Sequence, residues 1–262
     1  MRYFFHIGYN GFNYRGWQKL PQTRGANVQE VIETNLSKIL KTDLTIVGCG
    51  RTDAQVHASQ FFFHVDIEKK WDFDLKFRLN KNLPDDIAVF DIIPVENSMH
   101  ARFNATERTY NYFIHAYKDP YLTNLSAYYP EANPDVEMMK RAASLLLRYD
   151  DYSMFARSIP ASGSSICKIK RSEFHVNGNG SRFRFEVTSN RFLHGMIRIL
   201  VYKLLLIGRR ELTLDEFETH LISKQKSSKN KLAYPHGLYL TKVVYPSLSI
   251  PPRSECVGGV EV

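Results

Sequence analysis

Apolar and polar positions along this chain follow two different periods, and the switches between them predict its elements. Residues 1–7 are aromatic and β-prone and read as a first strand. From Asn27 the period lengthens. Val28, Val31, Ile32, Leu36, Ile39 and Leu40 form an apolar stripe at helical spacing, and Asn27 with Glu30 is placed as a capping box. Residues 45–47 and 59–65 are apolar, β-prone runs on either side of a polar loop, which predicts strand, loop, strand. Residues 75–83 predict a short helix with basic residues outward, and 84–87 open another strand.

Period two over residues 108–114 puts Arg108, Tyr110, Tyr112 and Ile114 on one strand face. A turn-rich segment, 118–134, then leads to a helix over 135–149, with Asn133 as N-cap and Pro134 as the first helical residue. Residues 168–176 and 182–188 predict a hairpin about Asn177-Gly178-Asn179-Gly180, with Phe183, Phe185 and Val187 turned inward. A long apolar helix entered through 190–198 ends with Gly208 as its C-cap. Thr213 and Glu216 are spaced as another capping box for a helix to Ile222, and 233–240 lead into a last strand. The serine-rich stretch 158–165 and the basic run 224–231 read as connectors, and the tail after Pro246 as an unanchored end.

Composition narrows the class. The 262 residues suffice for one large domain or two ordinary ones, and an apolar content of 44% supports a real core. Lys plus Arg number 35 against 27 acids, a net charge of +8, and the pI is near 9.3. With 13% aromatics, such a chain suits a polyanion, and RNA fits because unpaired bases stack on aromatic faces while phosphates pair with cations. Cys49, Cys167 and Cys256 have no paired spacing, which predicts neither zinc site nor disulfide framework and points to the cytoplasm. The aromatic N-terminus is unlike a signal peptide. The most apolar stretch, 199–207, is broken by Lys203 and too short to span a bilayer, so no membrane role is expected.

The loop over residues 47–58, Val-Gly-Cys-Gly-Arg-Thr-Asp-Ala-Gln-Val-His-Ala, carries the candidate chemistry. Gly48 and Gly50 permit a tight turn that makes Arg51 and Asp53 neighbours at a sheet rim. Locally, two readings stand: Asp53 caps a turn beside a solvated Arg51, or it is a reactive carboxylate next to a cation. Residues 9–18, a glycine-punctuated loop with aromatics, either stack on nucleotides or pin the loop to the core. Arg198, amid Met196, Ile197, Ile199 and Leu200, either pairs with an acid or snorkels to solvent. A dinucleotide fingerprint on Gly48-x-Gly50 fails, because Asp53 occupies the third glycine position and a strand follows where a helix is required.

Residues 50–58, Gly-Arg-Thr-Asp-Ala-Gln-Val-His-Ala, resemble the active-site segment of the tRNA pseudouridine synthase A family, which modifies the anticodon arm. The resemblance extends to Gly16-Trp17-Gln18, Leu79-Asn80, Leu83-Pro84, Ala101-Arg102-Phe103, Arg108-x-Tyr110-x-Tyr112 and the closing segment 233–240, in the family's order. It implies an α+β pseudouridine synthase fold, with a mostly antiparallel central sheet flanked by helices and two similar halves. The halves are drawn as 1–105, carrying the Asp loop, and 106–246, with 247–262 as a tail. It implies a homodimer acting on tRNA without metal or small-molecule cofactor. By the same resemblance Asp53 is the catalytic residue, Tyr110 stacks on the target uracil, Arg51 guides the flipped nucleotide, and Arg198 pairs with Asp53. Arg15, Arg24, Arg108 and His57 are candidate RNA contacts. Three positions depart from the pattern. Gln55 stands where Gly is usual, and a Gly there serves φ > 0, which Gln adopts only at a cost. Asp150 stands where His is usual, and Tyr234 where Pro is usual. These departures leave a rival reading, a catalytically impaired tRNA-binding or tRNA-folding paralogue on the same scaffold.

Overall fold

A computed structural model describes residues 1–19, 25–68, 70–130, 134–159, 163–223 and 230–251. The chain forms two compact units, one of Met1–Thr106 with the strand from Tyr239 onward, the other of Glu107–Leu238. The architecture is α+β with mostly antiparallel pairing.

In the first unit β1 (Arg2–Tyr9) lies between β3 (His57–Asp66) and β4 (Ile87–Val95), antiparallel to both. The short β2 (Val47–Gly48) pairs antiparallel with β3, and β9 (Leu238–Val244) runs parallel to it through His57 and Ala58. Consecutive Phe61, Phe62 and Phe63 are all fully buried, so both faces of β3 are covered. Trp17 stacks on Phe61 at 4.1 Å and Phe5 on Phe63 at 4.8 Å, while Phe62 meets Tyr245 edge-on at 5.3 Å. Each such ring contributes roughly 1.5–3 kcal/mol by leaving water.

Helix α1 (Val28–Leu40) begins after Asn27 as its spacing predicts, but with one half of the capping box, a side-chain bond to Glu30 standing where the Asn27 amide would donate. The Asn27 side chain accepts from the Glu30 amide at 2.9 Å and donates to the Glu30 carboxylate at 3.1 Å. Val28, Ile32, Leu36 and Leu40 form its buried stripe. Helix α2 (Leu75–Asn82) is capped by Asp74 and buries only Leu75 and Leu79, leaving Lys76, Arg78 and Lys81 outside.

In the second unit β5 (Glu107–His115) pairs antiparallel with β8 (Arg182–Ser189), which pairs antiparallel with β7 (Ile169–Val176). The short β6 (Ala127–Tyr128) runs parallel to β5. Phe183, Phe185 and Val187 are buried and Arg182, Arg184 and Glu186 take the other face, as the alternation requires. The apolar helix is α4 (Met196–Gly208), and α5 (Leu214–Ile222) carries the Thr213/Glu216 capping box.

Two expected helix ends differ. Helix α3 spans Val136–Leu145 with Asp135 as its N-cap, the carboxylate accepting from the Met138 amide at 3.2 Å, and Pro134 is not helical. Asn133 lies outside the described residues. The Asp135 amide also donates to the Gly208 carbonyl at 2.8 Å, so a tertiary bond sets where this helix starts. Gly208 is the last helical residue rather than the cap, and the left-handed position falls at Arg210, φ 61°. What requires a glycine at 208 is packing, since a Cβ there would stand 2.6 Å from Met139 Sδ. Residues 160–162 and 224–229, within the two expected connectors, and 252–262 of the tail lie outside the described residues. Among the described residues no helix is long and apolar enough to cross a membrane.

Candidate active site

The Asp loop is built on a second loop pressed against its back. Between β1 and α1 the chain turns through Gly11 and Gly16, and both sit where a side chain would collide with the Asp loop. A Cβ on Gly11 would stand 1.9 Å from the Val56 carbonyl oxygen, and one on Gly16, φ +99°, 2.5 Å from that of Thr52. That proximity is used for hydrogen bonds. The Trp17 amide donates to the Thr52 carbonyl at 3.2 Å, the Gln55 amide to the Tyr14 carbonyl at 3.1 Å, and the hydroxyls of Tyr9 and Thr52 lie 2.9 Å apart. Within the loop the Val56 amide closes a turn onto the Asp53 carbonyl at 3.2 Å. Asp53 is thus held from both flanks and is half-buried, while Arg51 beside it is exposed.

Gln55 carries the loop's strain. Its φ is +64°, the left-handed region, which costs a residue with a Cβ about 1–2 kcal/mol. The conformation for which a glycine is suited is therefore retained here with Gln in place.

The loop at 9–18 settles as a buttress. Tyr9, Tyr14 and Trp17 are buried, and the Tyr14 hydroxyl donates to Asp86 at 2.5 Å; burial, and then this bond, push its pKa well up. His57 is corrected as an RNA contact: it is fully buried, its Nδ1 accepts from the Gly11 amide at 3.1 Å, and its ring stacks on Tyr239 at 4.4 Å. With no exposed surface to offer a phosphate, it fixes the turn of the buttress. Arg15 is exposed on that buttress, and Arg24 lies outside the described residues.

In the second unit Tyr110 and Arg108 are half-buried on β5. The Tyr110 ring meets Phe192 at 5.2 Å with planes at 85°, and the Arg108 Nη1 donates to the Asn190 carbonyl at 3.1 Å. Further along the same face Tyr112 is fully buried and donates its hydroxyl to the Tyr234 carbonyl at 2.8 Å; burial holds that phenol well above its ordinary pKa. Arg198, on the first turn of α4, is half-buried. Its Nε donates to the Ala233 carbonyl at 2.8 Å, and the Ala233 amide returns a bond to the Arg198 carbonyl at 3.0 Å. This closing segment places His236 in the same unit, where burial, then the charges of His115 and Arg198, lower its pKa.

Thr52, Tyr9 and Gly11 were not singled out by the sequence; their signal was the glycine spacing of residues 9–18, whose partner could not be read from the chain alone. Among the described residues, no group of three or more His, Cys, Asp or Glu side chains is placed to hold a metal ion.

A family model described as tRNA pseudouridine synthase matches residues 7–104 and 142–246, which takes in the Asp loop, Arg198 and the closing segment. The chain belongs to the tRNA pseudouridine synthase family. It is 38% identical over 253 residues to the tRNA pseudouridine synthase A of Parabacteroides distasonis, covering 95% of this chain and 98% of that protein. It is 35% identical to that of Porphyromonas gingivalis, covering 94% and 98%, and 36% identical to that of Bacteroides thetaiotaomicron, covering 94% and 91%.

Proposed function

We propose that this chain isomerises uridine to pseudouridine in the anticodon stem-loop of tRNA. The observation that carries the reading is the Asp loop itself: the family's segment with Asp53 half-buried and braced by Thr52, Gln55 and Val56. In the reaction the bond between the ribose C1′ and uracil N1 breaks, the base turns, and C1′ joins C5. The C5 proton leaves and N1 gains one, so nothing is oxidised and no group is imported. Asp53 acts on the sugar, the one step that needs a charged oxygen close to C1′ or its neighbour.

The target base must leave its stack, which costs a few kcal/mol. Tyr110 stacks on the extruded uracil, a contact worth on the order of 1–3 kcal/mol, and its hydroxyl is available for proton transfer. Exposed Arg51 guides the nucleotide by its phosphate, with Arg15 and Arg108 as further backbone contacts. The resemblance assigns Arg198 as the guanidinium that keeps the Asp53 carboxylate ionised. It also supports a homodimer working in the cytoplasm.

The three departures give no support to an impaired paralogue. Gln55 adopts the left-handed turn, Asp150 is exposed with its carbonyl accepting from the Cys167 amide, and both backbone groups of Tyr234 are hydrogen-bonded. The test is incubation with unmodified tRNA transcripts and mapping of pseudouridine by carbodiimide adducts. Conversion of a uridine in the anticodon stem-loop is expected; no conversion in any tRNA overturns the reading.

A further inference from the structure

Tyr234 is half-exposed, at 52%, yet tightly held. Its amide donates to the Tyr129 hydroxyl at 3.1 Å and its carbonyl accepts from buried Tyr112 at 2.8 Å. A proline, usual here by the resemblance, has no amide hydrogen to give Tyr129. The Tyr234 ring lies 5.1 Å from that of Tyr129, planes at 31°, and 5.7 Å from that of His236, planes at 19°. Both rings neighbour that of Tyr234, which keeps about half of its surface in solvent.

Cations accompany these rings. Ala233, the residue before Tyr234, exchanges two hydrogen bonds with Arg198. One residue further back, the Leu232 side chain closes on Gly195, and the exposed Arg157 packs on that same glycine while its amide donates to the His194 carbonyl at 2.9 Å. A fixed aromatic face with guanidinium groups within a few residues, on a chain of net charge +8, matches the two parts of a nucleotide: a flat base and an anionic phosphate.

We propose that Tyr234, backed by Tyr129 and His236, stacks on an unpaired nucleobase of the RNA, with Arg157 on the adjoining phosphate. This rests on the tRNA reading above and makes Tyr234 a specificity-determining residue of this chain. Stacking energy is paid out on binding and does not change between ground and transition state, so it lowers KM and leaves kcat alone.

The experiment is steady-state pseudouridine formation on a tRNA transcript by wild type, Tyr234→Ala, Tyr234→Phe and Arg157→Gln, with melting temperatures alongside. Tyr234→Ala is expected to raise KM about tenfold with kcat within twofold, the loss of one base stack. Tyr234→Phe keeps the ring and the backbone bonds and is expected to keep KM within twofold. Arg157→Gln raises KM with a weaker dependence on salt. Abasic sugars placed singly in the unpaired loop should raise the wild-type KM at one site and leave that of Tyr234→Ala unmoved there. An active wild type whose KM is unchanged by Tyr234→Ala, or equally impaired by Tyr234→Phe, overturns the stacking proposal alone. An inactive wild type overturns the tRNA reading and this proposal with it.

Discussion

Gly16 and Thr52 approach so closely that a single methyl on Gly16 would stand 2.5 Å from the Thr52 carbonyl oxygen. Gly16 also adopts φ +99°, a conformation rarely open to other residues. Gly16→Ala therefore meets both a backbone collision and left-handed strain, of order 1–3 kcal/mol together. The substitution is expected to lower the urea midpoint and to cut pseudouridine formation at least tenfold, because relief of the collision moves the residue next to Asp53. Unchanged stability and rate would show that the buttress does not position the Asp loop.

Gln55→Gly tests the opposite sign. Leaving the left-handed region to a glycine removes about 1–2 kcal/mol of strain, while the extra freedom of Gly in the unfolded chain costs about 0.5–1 kcal/mol. A net gain of between zero and about 1.5 kcal/mol in urea denaturation is expected, with activity retained. Destabilisation would mean that the Gln55 side chain contributes more than its backbone angle costs.

Tyr112→Phe removes one oxygen from the interior. Its hydroxyl is the donor to the Tyr234 carbonyl, and the Tyr112 side chain is fully buried. Leaving a carbonyl short of its donor costs about 1–3 kcal/mol. Loss of stability by denaturant titration, without a change in the pH of half-maximal activity, is the expected result. A shift in the pH profile would instead give this phenol a part in proton transfer.

Acid should weaken the first unit through His64. This side chain is buried, and its Nδ1 accepts from the Ala101 amide at 3.2 Å, which only the unprotonated nitrogen can do. Burial, then the charges of Arg2 and His100, lowers its pKa from 6.5 to about 4. The unfolded chain therefore binds more protons across that window, and stability rises with pH from about 4 to 6.5 and is lost as pH falls through it. His64→Gln keeps an acceptor without the titration. It is expected to flatten the dependence of melting temperature on pH over that range; an unaltered slope would place the acid sensitivity in other groups.

Local chemistry was legible and distant partners were not. The starts of α1 and α5 could be read because Asn27 with Glu30, and Thr213 with Glu216, place the capping groups within four residues, although only the second pair forms the full reciprocal cap. The start of α3 could not. Asn133-Pro134 and Asp135 offer competing caps, and the bond from the Asp135 amide to Gly208 bears on the outcome across more than seventy residues. Gly208 looked like a helix end because its packing partner Met139 belongs to another helix. His57 looked like a surface cation for the same reason: its acceptor role depends on Gly11, 46 residues earlier. The Asp loop was recognisable from its residues, but the glycines that press a second loop against it acquire meaning only in three dimensions.

The role proposed for Asp53 is tested most directly by single-turnover pseudouridine formation with Asp53→Asn on an unmodified tRNA, with tRNA affinity measured in parallel. The exchange preserves size and the capacity to accept a hydrogen bond, and removes the charge. Formation of pseudouridine is expected to fall below detection while affinity stays within a few-fold of wild type. Turnover retained by Asp53→Asn at a rate near that of wild type would contradict the assignment of the reaction to this carboxylate.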